Sequence, residues 1–473
     1  MVCIRKGSYK AVLCFSKFVI KYPRINQNTL KNIKSILTEE YGYMTCGKMA
    51  KEFLLPIYFI PGIPILFQRR CQVYEEGNPK DEEKQKTFIE SIQKKNFWRF
   101  EVFTDMENII NLGEYQGKIY KHDYDYLDYN FKREWKYFKT KRQQRKRKMK
   151  EFVLQNEKLR VTLLSYGAII QKIEMPDREG NWQNIVLGFE KKEEYLDKNS
   201  AYFGAVIGRT AGRTKNGVLK IGEQEYALDK NASGKHSIHG GSYNLSQKYW
   251  KGEQEENRVR FSIESPHLEN GYPGNAKIEI EYSLEDDSLK LHYRACSDQD
   301  TYFNLTNHSY FSLSGNSEEE IGEQYLTLKA EEYGEVDEDT LPIRLSSVEN
   351  TSFDFRVRKQ LQELFNSREE QVRIVGQGID HPFVGNYAKL EDEKSGRCLE
   401  VRTNNKAMVI YTANWFREIG RKNHTGIAFE AQELPCLSEL KPKEYKVGRV
   451  YERETSFLSC KIKCHSVAKE KEP

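Results

Sequence analysis

KIEIEYSLEDDSLKLHYRAC, residues 277–296, decides the fold class. In Lys277–Leu284 polar and apolar side chains alternate, so Ile278, Ile280, Tyr282 and Leu284 share one face of an extended chain. Leu289–Cys296 repeats the pattern, and Glu285-Asp286-Asp287-Ser288 between the two runs reads as a hairpin turn. Outward from this hairpin the texture persists. Arg160–Gln171, Asn184–Phe189, Arg258–Glu264 and Tyr325–Ala330 are short runs rich in Val, Ile, Tyr, Phe and Thr, separated by turn residues. Helical periodicity is scarce apart from Val357–Asn366. Such a stretch predicts an all-β domain, a large antiparallel β-sandwich spanning residues 151–473.

Five segments break the ordinary strand pattern by placing polar residues against glycines and aromatics. They are Gly208-Arg209-Thr210-Ala211-Gly212-Arg213, Ser237-Ile238-His239-Gly240-Gly241, Thr301–Phe311 (TYFNLTNHSYF), Gly378-Ile379-Asp380-His381-Pro382-Phe383 and Gly426-Ile427-Ala428-Phe429-Glu430-Ala431-Gln432. In this order they resemble the galactose mutarotase family of aldose 1-epimerases, over about residues 150–460. Asn270-Gly271-Tyr272-Pro273-Gly274-Asn275, Ser352-Phe353-Asp354-Phe355-Arg356 and Leu440-Lys441-Pro442-Lys443-Glu444-Tyr445 add to the match. Each segment alone is weak; the ordered set is specific.

The resemblance implies a mutarotase-like supersandwich that interconverts the α and β anomers of a free hexose, galactose or glucose being the family expectation. It makes Glu430 the catalytic base and His308 the catalytic acid, with Arg213, His239 and Asp380 as sugar-binding residues. The chemistry is consistent with these residue types. Anomer exchange takes a proton from the C1 hydroxyl and delivers one to the ring oxygen, which suits a carboxylate and an imidazole on opposite sides of one C–O bond. It needs no cofactor, and no glycine-rich phosphate loop is found in this domain. Taken one by one, the same residues are ordinary. Glu430 could face solvent from a strand, His308 could be a core histidine, His239 a turn residue, Arg213 a surface charge and Asp380 a loop cap. A metal site from His239, His308 and Asp380 has the right ligand types but no short-spaced pair.

The chain departs from the family pattern at Gly212, where asparagine is usual, at Ala431, where threonine is usual, and at Leu434-Pro435. Asp339-Thr340-Leu341-Pro342 also lacks the usual turn sequence. Thr210 and Thr214 are candidates to replace the contact missing at Gly212. These departures bear on the preferred sugar. Two other readings remain open here: a non-catalytic sugar-binding or regulatory protein on the same fold, and an epimerase for a phosphorylated hexose, for which Arg209 and Arg421 are the candidate phosphate ligands.

Residues 1–130 mix β-like runs (Lys10–Tyr22, Leu55–Phe67, Gly117–Tyr124) with helical ones (Asn26–Tyr41, Asp81–Phe97), predicting a small α+β domain of unknown role. Gly7-Ser8-Tyr9, Lys21, Asp105 to Asn108 and Asp123 follow the order of parts in protein-kinase-like folds. The full glycine-rich loop, the HRD segment and DFG are absent, so no active site is assigned there. Residues 131–150 form a basic helical linker, with Phe131, Trp135 and Phe138 spaced as one helix face. The run at 141–150 lacks interleaved aromatics and reads as a linker rather than as a nucleic-acid-binding segment. No stretch predicts a membrane span or signal peptide. Nine scattered cysteines, with no CxxC, read as reduced thiols of a cytoplasmic protein, Cys460 and Cys464 beside His465 included.

Overall fold

The computed structural model describes residues 149–434 and 444–462 throughout, and eight strands before them: Cys3–Lys6, Lys10–Cys14, Phe18–Pro23, Ile57–Phe59, Leu66–Arg69, Gln72–Val73, Leu112–Tyr115 and Lys118–Lys121. The chain divides into two compact units, Met1–Gln143 and Gln144–Pro473. In the first, five of these strands form one antiparallel sheet and the other three a second. The β-like run Lys10–Tyr22 is a hairpin, with Lys10 opposite Pro23. The helical readings at 26–41 and 81–97, and the basic run up to Lys148, lie outside the described residues.

The second unit is a β-sandwich. The hairpin at 277–296 forms as expected: Ala276–Glu285 pairs with Ser288–Ser297 in a continuous register that closes at Glu285 opposite Ser288. Ile278, Ile280, Tyr282 and Leu284 are buried, as alternation requires. This hairpin is part of a nine-stranded sheet that continues through Tyr451–Lys461, Arg397–Thr403, Tyr387–Asp392, Tyr325–Leu328 and Lys359–Gln360. A six-stranded antiparallel sheet faces it, in the order Tyr310–Phe311, Ile427–Gln432, Ala407–Tyr411, Asp380–Phe383, Glu332–Val336 and Pro342–Ser347. Phe311 and Phe429 of the smaller sheet meet Phe457 of the larger in one apolar core, the Phe311 ring lying 5.0 Å from that of Phe457.

Two expectations shift. Arg160–Gln171 is two strands, Arg160–Leu164 and part of Ile169–Pro176, because Gly167 and Ala168 take left-handed φ values of 65° and 46° and turn the chain. Helix at Val357–Asn366 contracts to Leu361–Phe365.

The all-thiol expectation is corrected. Cys398 and Cys460 sit opposite each other on neighbouring strands and are disulfide-bonded, with Cα atoms 4.8 Å apart. The cysteine pattern therefore no longer carries the cytoplasmic reading, and Cys460 is not available to a metal site with Cys464 and His465, which lie outside the described residues. Among the described residues, no helix is long and apolar enough to cross a membrane.

Candidate active site

The site begins with the alternation of one strand. In Ile427–Gln432 all six side chains are buried. Ile427 and Phe429 enter the core between the sheets, so Glu430 and Gln432 point to the opposite face, where both line a cavity. The register extends this face sideways. Glu430 is opposite Val409, Val409 opposite Pro382, and Tyr411 opposite Asp380. Alternation therefore places Glu430, Gln432, Val409, Tyr411, Asp380 and Pro382 together as the cavity floor, all of them lining it.

The walls come from the other three segments. TYFNLTNHSYF contains three two-residue strands, each paired elsewhere: Thr301–Tyr302 with Glu444–Tyr445, Thr306–Asn307 with Val206–Ile207, and Tyr310–Phe311 with Ile427–Gln432. His308 lies between the last two, its turn held by Asn307, which accepts from the Ser309 backbone N–H at 3.0 Å. Arg213 pairs with Ile238, bringing His239 alongside. Gly240 follows because a Cβ there would lie 2.0 Å from the Gly208 carbonyl oxygen. Asn304 ties this segment to the floor strand's end: its Oδ1 accepts from the Glu433 backbone N–H at 2.8 Å.

All five expected site residues line this one cavity of about 240 Å³. That is small by the standard of drug-sized pockets and suits one compact polar ligand. His308 Nε2 is 3.5 Å from Glu430 Oε1, and Arg213 Nη1 is 3.7 Å from Asp380 Oδ2. The His239 and His308 rings lie edge to face at 5.2 Å, with Tyr202 stacked 5.8 Å from His308. Glu430 and His308 are each 3% exposed, so Glu430 is not a solvent-facing strand carboxylate. Indeed His308 Nδ1 and Glu430 Oε2 are buried with no hydrogen-bond partner. Orphaned buried polar atoms are costly and mark a place built for something else.

The aldose 1-epimerase family model matches residues 150–457. The chain belongs to the aldose 1-epimerase family. Galactose mutarotase of Bos taurus is 35% identical over 331 residues, covering 65% of this chain and 93% of the relative. Aldose 1-epimerase of Escherichia coli K12 is 31% identical over 294 residues, 58% of this chain and 83% of the relative. Among solved structures, galactose 1-epimerase from Lactobacillus acidophilus superposes with a TM-score of 0.60 at 30% identity, covering 67% of this chain and 95% of that one.

In this aldose 1-epimerase, burial sets the protonation of the site. It pushes the Glu430 carboxyl up to about 8, with the Asp380 charge adding and Arg213 opposing. Burial pushes His308 down to about 4 and holds His239 well below the usual imidazole value. It also raises Asp380, against the pull of Arg213. His239 Nδ1 accepts from the Gly212 N–H at 3.3 Å, so the neutral ring carries its proton on Nε2 and presents a donor.

The departures sort by position. Ala431 faces away from the cavity, being on the opposite strand face to Glu430 and Gln432, so losing threonine there leaves the site untouched. Gly212 does line the cavity, and neither proposed substitute reaches it: Thr210 Oγ1 is bonded to Tyr272 Oη at 2.5 Å, and Thr214 is not among the lining residues. His381 is fully buried against Gln371, and Glu433 pairs with Arg453. His236 accepts from the Asn216 N–H and faces Asp339. The metal set His239, His308 and Asp380 is replaced by His239, His308 and Glu430, whose ligand atoms lie within 4.8 Å of one another.

Arg209 is removed as a phosphate ligand. It is 2% exposed, and its guanidinium donates to Ser265 Oγ and to the carbonyls of Ser265, Pro266, Pro273 and Gly274. Arg421 does not line the cavity: its Nη2 donates to the Gly188 carbonyl, its guanidinium lies over Phe189 and Phe203, and its Nη1 is buried without a partner. Arg209 instead ties the site loop to the 265–274 turn. Arg209→Met should lower unfolding free energy by about 2–3 kcal/mol, because buried carbonyls lose their donors. Denaturant melts of the two proteins measure it; an unchanged midpoint would mean that the carbonyls find other partners.

Proposed function

We propose that Glu430 and His308 carry the proton transfers by which this aldose 1-epimerase interconverts the α and β anomers of a free hexose. The observation that carries the reading is the pair itself: two buried proton-transfer groups 3.5 Å apart, one on the floor and one on the wall of a small cavity. The two protons exchanged belong to oxygens bonded to a single carbon, so base and acid must stand within a few ångströms of each other, as these do.

The Glu430 carboxylate takes the C1 hydroxyl proton while the His308 imidazolium gives one to the ring oxygen. The C1–ring oxygen bond breaks, the open-chain aldehyde turns about the C1–C2 bond, and both transfers run backwards on the other face. Arg213, Asp380 and His239 hold the remaining hydroxyls. Asp380 accepts, Arg213 and the Nε2–H of His239 donate. Tyr202, Tyr310 and Tyr411 supply flat apolar surface for the C–H side of the ring. Galactose and glucose are the first substrates to try, and the absence of a free guanidinium among the lining residues other than Arg213 supports a neutral sugar over a phosphorylated one. Optical rotation of freshly dissolved α-galactose tests the function: the enzyme should hasten the approach to equilibrium far beyond buffer alone. Saturable binding without acceleration would favour a sugar-binding protein that has lost turnover.

The pH dependence follows from the inverted order of the two groups. With His308 near 4 and Glu430 near 8, the free pair holds one proton between those values, resting on Glu430. The reactive carboxylate–imidazolium form has the same number of protons, so its share does not change with pH in that window. The ratio kcat/KM should be flat from about 4 to about 8, fall below as a second proton binds, and fall above as the only proton is lost. Ordinary values would instead give a decline beginning at roughly 6.5, the usual imidazole range. A decline starting there would refute the inversion.

A further inference from the structure

Gln432 is a polar side chain on the floor to which neither proton transfer nor the sugar contacts described above give a role. It is fully buried, lines the cavity, and its Nε2 has no hydrogen-bond partner. Which end of its amide faces the cavity is fixed by a neighbour. Asn304 Oδ1 accepts from the Glu433 backbone N–H at 2.8 Å, and Asn304 Nδ2 donates to the Glu433 carbonyl at 3.2 Å. Those two bonds set the Asn304 amide with its nitrogen as the donor toward Gln432, and Gln432 Oε1 accepts from it at 3.3 Å. Flipping Gln432 would oppose two N–H groups. The oxygen is therefore anchored to Asn304, and the N–H₂ group is left over.

A buried amide with unmade donors is destabilising unless something else completes it. Gln432 stands two residues beyond Glu430 on the same strand face, about 7 Å along the floor. That is within the span of one pyranose whose anomeric end sits at Glu430. We propose that the Gln432 Nε2–H₂ group is a further substrate-binding donor, hydrogen-bonding one hydroxyl oxygen of the sugar and so fixing the ring's rotation over Glu430. The proposal rests on the sugar occupying this cavity as described above. It gives Asn304 a positioning role, since that residue acts only by orienting the Gln432 amide.

Gln432→Met keeps the length of the side chain and removes the donors. Mutarotation is measured for wild type and variant on galactose and on its 2-, 3-, 4- and 6-deoxy forms, with thermal melts to confirm that both fold. Gln432→Glu, which keeps the acceptor for Asn304 and removes the donor, is the second variant should Gln432→Met not fold. On galactose, KM should rise about tenfold, the worth of one hydrogen bond, with a smaller change in kcat. With one of the four deoxy sugars that gap should close, because the hydroxyl that Gln432 meets is already gone. A folded variant with unchanged KM, or a gap equal for all four deoxy sugars, overturns the proposal. If instead wild type itself does not hasten mutarotation of any sugar, it is the proposed function that fails.

Discussion

Glu430→Gln should lower kcat/KM for galactose mutarotation roughly a thousandfold, within the range that a positioned acid–base group contributes. The amide has the shape of the carboxylic acid but cannot take up or give back the C1 proton. Folding should survive the change and even gain from it. Glu430 is buried without a partner for Oε2, beside Asp380, whose charge also disfavours ionisation there. Just below about pH 8 this carboxyl is protonated in the fold but ionised in the unfolded chain, so folding must take up a proton, a cost that a neutral amide does not meet. The expected pair of results is a protein that melts no lower than wild type and turns over hardly at all, the trade usual at a site kept strained for chemistry. Polarimetry and a thermal melt on the same preparation measure both. Full activity in the variant would remove Glu430 as the base. Lost activity with a collapsed melt would show only that Glu430 holds the fold.

What the sequence made legible follows which residues obey local rules. The hairpin at 277–296 was readable because alternation and turn both act between near neighbours, and its register forms as read. Arg160–Gln171 was misread as one strand because its break depends on left-handed backbone at Gly167 and Ala168, and only the glycine announces that. The five site residues were readable only as an ordered set resembling a family. No local pattern shows that Arg213, His239, His308, Asp380 and Glu430 share one cavity, which takes strand pairings between separate segments of the chain. Gln432 stood in a quoted segment without a role, since its leftover donor becomes visible only once Asn304 is seen to anchor its oxygen. The link between Cys398 and Cys460 was hidden for a similar reason: a separation of 62 residues gives no hint that the strands are neighbours. Arg209 is the opposite case. Its place in a site motif suggested a ligand, and only burial with a full set of carbonyl acceptors shows it to be structural.

His308→Asn should cost about a hundredfold to a thousandfold in kcat/KM, less than or equal to the loss at Glu430, because water reaching the enlarged site can protonate the ring oxygen in part. The more telling measurement is the combined variant. Base and acid here act on one exchange, in which the C1 hydroxyl loses a proton as the ring oxygen gains one. Removing the acid from an enzyme that already lacks its base therefore takes away little that still works. The double variant should be only slightly slower than Glu430→Gln alone, far from the product of the two single losses. Two groups serving separate steps, such as binding and chemistry, would instead multiply their effects, as independent sites do. The pH profile of the single variants makes the same distinction. With Asn at 308 the proton can no longer pass from the carboxyl to an imidazole, so only the ionised carboxylate is competent: kcat/KM should rise with pH through Glu430's range near 8 and level off above it, in place of the wild-type plateau from about 4 to about 8. Multiplicative losses in the double variant, together with a plateau from about 4 to about 8 that persists in His308→Asn, would assign His308 to holding the sugar and leave the ring-oxygen proton to another group of the cavity.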